Sequence, residues 1–313
     1  MAEKSGIICK GVGGRYEVRF GTGEMLCCQA KGTFRHEGVK PLVGDRVLFR
    51  GEDGASGEGQ IVKILPRKNA LLRPPLANLD ILFLVVSVKS PAPALSIVDK
   101  MTTIADFERI EPIIIVNKAD LDPETAEKLA DLYRRCGFTA ILTCAPDKSG
   151  VSDITAYLNT WKAPVTAAFS GASGAGKSTL MNALFPSLEI QTNTLSRKTE
   201  RGRHTTRHVE LYPVSALTEG GGGSYLADTP GFSMLDFTRF DFYGKDELPE
   251  TFREFRPYLG RCAYRDCTHT KEEGCAVLDA VRRGQIPQSR HESFLEIYDA
   301  LKDKRDWDKT SGR

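Results

Sequence analysis

No run of about twenty uninterrupted apolar residues occurs in the 313-residue sequence, so a membrane-spanning helix is not expected. The opening residues, Met1 to Lys10, lack the apolar stretch of a secretory leader. These two absences point to a cytoplasmic protein that does not enter a membrane. A strong charge of one sign is also missing, since 43 Lys and Arg stand against 41 Asp and Glu. The small surplus sits at the front, where residues 1–72 carry twelve basic against eight acidic side chains. That bias suits a polyanionic partner, and an ordinary surface of mixed sign accounts for it equally well. Residues 1–68 show no dense pattern of aromatic side chains for stacking on bases, so Tyr16, Phe20, Phe34 and Phe49 read as core. Of eight cysteines, Cys9, Cys27, Cys28, Cys136 and Cys144 are scattered. In a cytosolic chain these are expected to be small buried residues and not disulfide partners. Cys262, Cys267 and Cys275 lie close together and need another explanation.

What is present divides the chain in three: 1–68, 73–235 and 236–313. In the first part, Tyr16 to Phe20 alternates as a half-buried strand does, Val43 to Phe49 reads as a turn into a strand, and Gln60 to Leu65 as another strand. Several short strands between glycine turns predict a small β-barrel, with an OB-fold as first choice. Pro66 to Asn69 and Arg73 to Pro75 read as a linker. Then the apolar runs 79–88, 112–116, 140–143, 165–169 and 225–227 alternate with helical patterns over 96–109, 123–136, 151–160 and 177–185. This is the pattern of a doubly wound α/β domain around a buried parallel sheet. His208 to Pro213 alternates and is expected at a sheet edge. The last part ends in helical material, with Phe294, Ile297, Tyr298 and Leu301 sharing one face. It is expected to be a small α-helical domain held by a metal.

Gly171-Ala172-Ser173-Gly174-Ala175-Gly176-Lys177-Ser178-Thr179 directly follows one of these apolar runs and opens a helix. This is the full context of a phosphate loop. Its glycines let backbone N–H groups turn inward around phosphates, and the helix N-terminus adds partial positive charge. Lys177 is expected to reach the β and γ phosphates as a catalytic group, and Ser178 to hold Mg2+. A second strand ends in Asp228-Thr-Pro-Gly231. Asp228 fits the carboxylate on the Mg2+ side, acting through water, and the Gly231 amide fits a γ-phosphate sensor. A third strand ends in Asn117-Lys118-Ala119-Asp120, which resembles the guanine-specificity motif of GTPases. Guanine presents two donors, N1–H and the exocyclic amine, and one carboxylate accepts both. Adenine would leave Asp120 unpaired. Lys118 would pack across the base, and Thr143-Cys-Ala145 would supply a further backbone contact. Each motif could be a chance surface turn, but all three sit at strand ends.

Their order is base motif, phosphate loop, then Asp-Thr-Pro-Gly, whereas GTPases normally begin with the phosphate loop. The domain is therefore expected to be circularly permuted. The fold tolerates this because ligand loops leave the same carboxyl edge of the sheet wherever the chain is cut. With a barrel before it and a cysteine-rich tail after it, the sequence resembles the RsgA family of circularly permuted GTPases (also called YjeQ or YloQ) over nearly its whole length. The resemblance implies a GTPase of late small-ribosomal-subunit maturation, with the subunit and its rRNA as partners. A monomer is expected. The permutation also sends the γ-phosphate-sensing segment straight into the tail, so nucleotide state is expected to reach residues beyond 236.

Residues 197–207 occupy the place of the first switch and hold Arg197, Lys198, Arg201, Arg203 and Arg207 against Glu200. Such a run suits contact with rRNA phosphates, or simply a solvated loop. Thr205 or Thr206 would ligate Mg2+ when GTP is bound, and the sequence does not choose between them. Phe232 stands where many GTPases carry a water-orienting Gln, so slow intrinsic turnover is expected, raised by the subunit. His204 is the candidate replacement, with RNA contact as its rival role. Cys262, Cys267, His269 and Cys275 offer three thiolates and an imidazole, the donor set of a closed, structural Zn2+ site. The RsgA tail has the same arrangement. His36, His208 and His291 read as ordinary surface or core residues. Two other functions compete. A metabolic phosphate-loop enzyme fits poorly with the guanine motif and Phe232. An RNA-binding module with a non-catalytic nucleotide site fits poorly with intact Lys177, Ser178, Asp120 and Asp228.

Overall fold

The computed structural model describes residues 3–32, 34, 38–51, 58–72, 75–144, 147–185, 209–214, 223–228 and 242–302. The chain divides into two compact units. One comprises Met1–Ile81, Thr155–Phe169 and Leu184–Phe232; the other comprises Leu82–Ile154, Ser170–Ala183 and Ser233–Arg313.

Alternation builds the first unit. Its strands are β1 (Lys4–Val12), β2 (Arg15–Phe20), β3 (Glu24–Ala30), β4 (Arg46–Gly51) and β5 (Glu58–Ile64). In β2, Tyr16 and Val18 are buried while Arg15 and Glu17 are exposed. β1 pairs antiparallel with both β2 and β4, and β3 runs parallel to β5, which pairs antiparallel with β4. The sheet thus closes on itself as the five-stranded, OB-like barrel expected. Ile8, Val18, Cys28, Val47, Phe49 and Ile61 fill it. Phe20 packs edge-on against Phe49, with ring centroids 5.1 Å apart; Phe49 is core, whereas Phe20 is only half-buried.

Beside the stretches read as a linker, 66–69 and 73–75, the chain forms a packed ribbon, β6 (Ala70–Leu72) paired with β7 (Pro75–Ala77), with Leu71 and Leu76 buried opposite each other. Buried asparagines hold its ends. Asn69 exchanges two hydrogen bonds with the Leu79 backbone, and Asn78 Nδ2 donates to the Gly44 carbonyl at 2.9 Å. Gly44, at φ +88°, permits this approach, because a Cβ there would lie 2.2 Å from the Ala77 carbonyl oxygen.

β8 (Ile81–Ser87) is buried at every position, as its unbroken apolar sequence requires. β9 (Glu111–Asn117) lies between β8 and β10 (Thr139–Thr143), and runs parallel to β10 with Asn117 opposite Thr143. The helices α1 (Leu95–Phe107) and α2 (Pro123–Arg135) fill the connections, and α3 (Val151–Asn159) follows β10. Asp122 caps α2 by accepting from the Thr125 N–H, with Pro123 in the first turn. β11 (Thr166–Gly171) leads to α4 (Lys177–Leu184). Within the first unit, β13 (Tyr225–Asp228) runs parallel to β11 over Thr166–Ala168 and antiparallel to β12 (Glu210–Pro213). β12 is not the edge strand its alternation suggested. Glu210 also stands opposite Lys10 of β1 and pairs with its ammonium at 2.9 Å, so the strand's second edge meets β1 while its polar face stays partly exposed.

The last segment is helical, as expected: α5 (Leu248–Thr251), a 3-10 turn at Arg256–Tyr258, α6 (Ala276–Arg282) and α7 (Gln288–Lys302). Phe252, Phe255 and Phe294 form its aromatic centre, and Phe294, Ile297 and Leu301 share the buried face of α7. Arginines fasten it to α1 and β9. Arg253 reaches Asp106 at 2.7 Å and Glu111 at 2.9 Å. Arg290, wholly buried, reaches Asp99 at 2.6 Å and Glu254 at 2.5 Å. Burial alone would pull the Arg290 guanidinium down, but the two carboxylates outweigh it and push it further up. All eight cysteines are free thiols, and four of the five scattered ones are buried.

Candidate functional site

β9 delivers the base motif. At its end Lys118 takes the left-handed conformation (φ +59°) and turns the chain into a 3-10 turn over Ala119–Leu121. Asn117 is thereby left inside, 1% exposed, and Asp120 outside, open to a ligand. The Asn117 amide is the junction of the site. Its Nδ2 donates to the Ala175 carbonyl in the phosphate loop at 2.8 Å, and its Oδ1 accepts from Thr143 Oγ1 at 3.0 Å. One buried side chain therefore holds the Lys118 turn, the end of β10 and the glycine-rich loop before α4 together. Cys144, next to Thr143, has its thiol pushed up to about 11 by burial and by the Asp120 carboxylate, so it stays protonated.

The phosphate loop follows β11, with Ala175 buried, Ser173 and Gly174 exposed, and Ser178 half-buried in the first turn of α4. Lys177 Nζ donates to the carbonyls of Gly171 and Ala172 at 2.8 and 2.9 Å. Burial draws this ammonium below its ordinary value. Gly176, at φ +95°, faces the junction, and a Cβ there would lie 2.2 Å from Asn117 Nδ2. Gly176→Ala is therefore expected to push Asn117 off the loop and weaken guanine-nucleotide affinity by about tenfold or more, the cost of one lost buried hydrogen bond. A titration with a fluorescent guanine nucleotide checks this, and unchanged affinity would show that the junction does not support binding.

Sequence reasoning passed over two supports. Thr143 was assigned only a contact to the base, whereas its hydroxyl anchors Asn117, a role that emerges only from the β9–β10 register. The segment after β8 was also missed. Lys118 Nζ donates to the Ser90 carbonyl at 2.5 Å, and Lys89 pairs with Asp122 at 3.2 Å. No motif marks those residues. Asp228 closes β13, its backbone opposite Glu210. His204, Thr205, Thr206, Gly231, Phe232, the basic run 197–207 and Ala145 lie outside the described residues.

The second cluster is Cys262, Cys267, His269 and Cys275, whose ligand atoms all lie within 4.8 Å of one another. Cys262 Sγ is 4.0 Å from Cys275 Sγ, and His269 Nδ1 is 3.6 and 3.5 Å from these two sulfurs. Ligands at tetrahedral zinc distances stand about 3.5 to 3.8 Å apart, so the set fits a metal of that size. Two backbone donors point at these sulfurs: Cys262 Sγ accepts from the Ala276 N–H and Cys275 Sγ from the Leu278 N–H, at 3.4 and 3.5 Å. Burial keeps the His269 imidazole below its ordinary value, the neutral form a metal requires. Glu272 braces the loop by accepting from the backbone N–H groups of Thr268, Thr270 and Lys271. His291, expected as an ordinary surface or core residue, is core and has a further part: its Nε2 hydrogen-bonds the His269 carbonyl at 2.8 Å.

Comparison with known proteins agrees with this geometry. The profile of the RsgA GTPase family matches residues 64–238, and that of the RsgA N-terminal domain matches residues 5–63. A protein of Geobacillus kaustophilus, named small ribosomal subunit biogenesis GTPase RsgA, is 40% identical over 97% of this chain and 99% of its own. The protein of the same name from Ruminiclostridium cellulolyticum is 38% identical over 95% and 94%. Among solved structures, YjeQ from Thermotoga maritima superimposes with a TM-score of 0.79 at 31% identity, covering 97% of this chain and all of that one. YloQ, described as a circularly permuted GTPase, gives 0.75 at 33% identity over 97% and 96%. Among the described residues no helix is long and apolar enough to cross a membrane.

Proposed function

This chain belongs to the RsgA GTPase family, and on that premise we infer that it is a GTP hydrolase of small-ribosomal-subunit biogenesis. The observation behind this reading is the Asn117 junction, which makes one site of the guanine motif and the phosphate loop. Asp120 reads the base and Lys118 packs across it. Lys177 leaves the Gly171 and Ala172 carbonyls for the phosphates and stabilises charge that develops during transfer. Ser178, Asp228 and either Thr205 or Thr206 would hold Mg2+, which supplies charge neutralisation on the phosphates. His204 orients or deprotonates the attacking water in place of the Gln that Phe232 displaces. Cys262, Cys267, His269 and Cys275 would hold one structural Zn2+. The OB-like barrel and the basic run at 197–207 are the rRNA-facing parts of a cytoplasmic monomer that stays off membranes. We place the module boundaries at 1–68, 73–235 and 236–313.

The test is GTP turnover by the purified chain with and without small subunits. Turnover should be slow alone and rise at least tenfold with subunits, a barrier reduction of roughly 1.4 kcal/mol or more. Efficient unstimulated transfer to a small acceptor would favour a metabolic enzyme, and no turnover at all a binding module. In the same assay His204→Ala should lose about 10²-fold or more of the stimulated rate. Normal hydrolysis by that variant on subunits would assign His204 to RNA contact.

A further inference from the structure

Permutation joins the switch segment to the tail through the chain itself. The structure contains a second connection, which does not use that segment. It runs through α1.

One side of α1 belongs to the nucleotide site. In its lead-in, the Val88 N–H donates to the Asn117 carbonyl at 3.3 Å and Ser90 receives Lys118. On the helix itself, buried Met101 lies against Ser170, the residue before the phosphate loop, with Oγ 3.8 Å from Sδ. Another side of α1 faces the tail. Asp99 receives Arg290 Nη1 at 2.6 Å, Ser293 Oγ at 2.6 Å and the Tyr133 hydroxyl at 2.9 Å, and Thr102 receives Arg290 at 3.2 Å. These carboxylate bonds are directional, so α7 has one register on α1. Buried ion pairs are poor sources of net stability, and fixing a register is their best-attested use.

The residue after Arg290 is His291, which turns the other way and holds the His269 carbonyl. His269 is a ligand of the candidate metal cluster, and its backbone is left-handed at φ +59°. A side-chain-bearing residue in that region needs support from its surroundings. The rings of Phe255 and Phe294, with centroids 6.2 and 5.9 Å from that of His291, set the plane of its imidazole. Adjacent residues of one helix turn therefore grip α1 and the metal loop.

We propose that guanine-nucleotide binding and zinc retention are coupled through α1, with Arg290 and His291 as the positioning residues of the link. The proposal rests on the nucleotide and zinc readings above. Coupling of this kind is reciprocal: the factor by which nucleotide tightens zinc binding is the factor by which zinc tightens nucleotide binding.

The experiment measures zinc affinity of the full chain by competition with a chromophoric chelator, with and without saturating GDP or a non-hydrolysable GTP analogue. A fluorescence titration establishes nucleotide occupancy separately. Zinc affinity should change by about fivefold or more with at least one nucleotide, the lower range of known couplings, and zinc-stripped protein should show the matching change in nucleotide affinity. His291→Phe keeps an aromatic ring between Phe255 and Phe294 and removes the donor. Asp99→Asn keeps the shape and removes the charge. Each should bring the ratio towards one while nucleotide still binds. A ratio within twofold of one in the native chain, with nucleotide shown to be bound, overturns the coupling. A ratio that survives both substitutions overturns the route through α1. Failure of any guanine nucleotide to bind would instead sink the reading of the site, and the coupling with it.

Discussion

Asp120→Asn will weaken GTP binding by roughly 10³-fold or more and give the protein affinity for xanthosine triphosphate. The reasoning starts from β9. Its buried end at Asn117 and the left-handed Lys118 turn leave Asp120 exposed, where its carboxylate lies beside the Cys144 thiol and is open to a base. Two donors of guanine need two acceptor positions, which a carboxylate provides. An amide keeps one acceptor and presents a donor against the guanine amine, so two N–H groups oppose each other in a closed site. Sites built to hydrogen-bond a substrate reject the mismatched analogue by about 10⁴- to 10⁵-fold. Xanthine carries a carbonyl in place of that amine and restores the match. Competition of labelled GTP by unlabelled GTP and XTP measures both effects. Full GTP affinity in the variant would remove Asp120 from base recognition.

Arg290→Met is expected to cost about 3–5 kcal/mol of stability, because it leaves two carboxylates buried without their cation. Asp99 and Glu254 are 1% and 7% exposed, so water cannot take the place of the guanidinium. At roughly 2–4 °C per kcal/mol for a chain of this size class, the melting temperature should fall by about ten degrees. The arithmetic should also run in reverse. With Asp99→Leu and Glu254→Leu added, no unpaired charge remains, and part of the loss should return, less the cost of the Tyr133 and Ser293 hydroxyls that Asp99 no longer receives. Denaturant melts of the single and triple variants decide the matter. A single-variant loss below about 1 kcal/mol would mean that the cluster relaxes into solvent more readily than its burial implies.

These two residues mark the limits of sequence reading here. Asp120 was legible because its neighbours in sequence are also its neighbours in chemistry: strand, turn and carboxylate are consecutive. The same holds for the phosphate loop and for the cysteines, which lie within fourteen positions. β8 and β9 were legible because a strand buried on both faces must be apolar throughout. Arg290 and Asp99 are 191 positions apart, and each alone reads as a solvated residue on an amphipathic helix. Asp99, Thr102 and Thr103 gave α1 an apparently wet face that in fact packs on the tail. The ribbon at 70–77 was hidden by its prolines, which suggest a linker unless Leu71 and Leu76 are known to meet. β12 misled because alternation records that one face is polar, and says nothing of whether another strand pairs along its free edge, as β1 does.

The start of α6 has a consequence of its own. Seven residues are too few for a helix to hold its shape alone in water, and α6 begins with no serine, threonine or aspartate to receive its first N–H groups. Two cysteine sulfurs receive them instead, and both belong to the metal cluster. The atoms that would hold the metal are thus also the atoms that cap the helix, so removal of the metal is expected to loosen α6 before the rest of the tail.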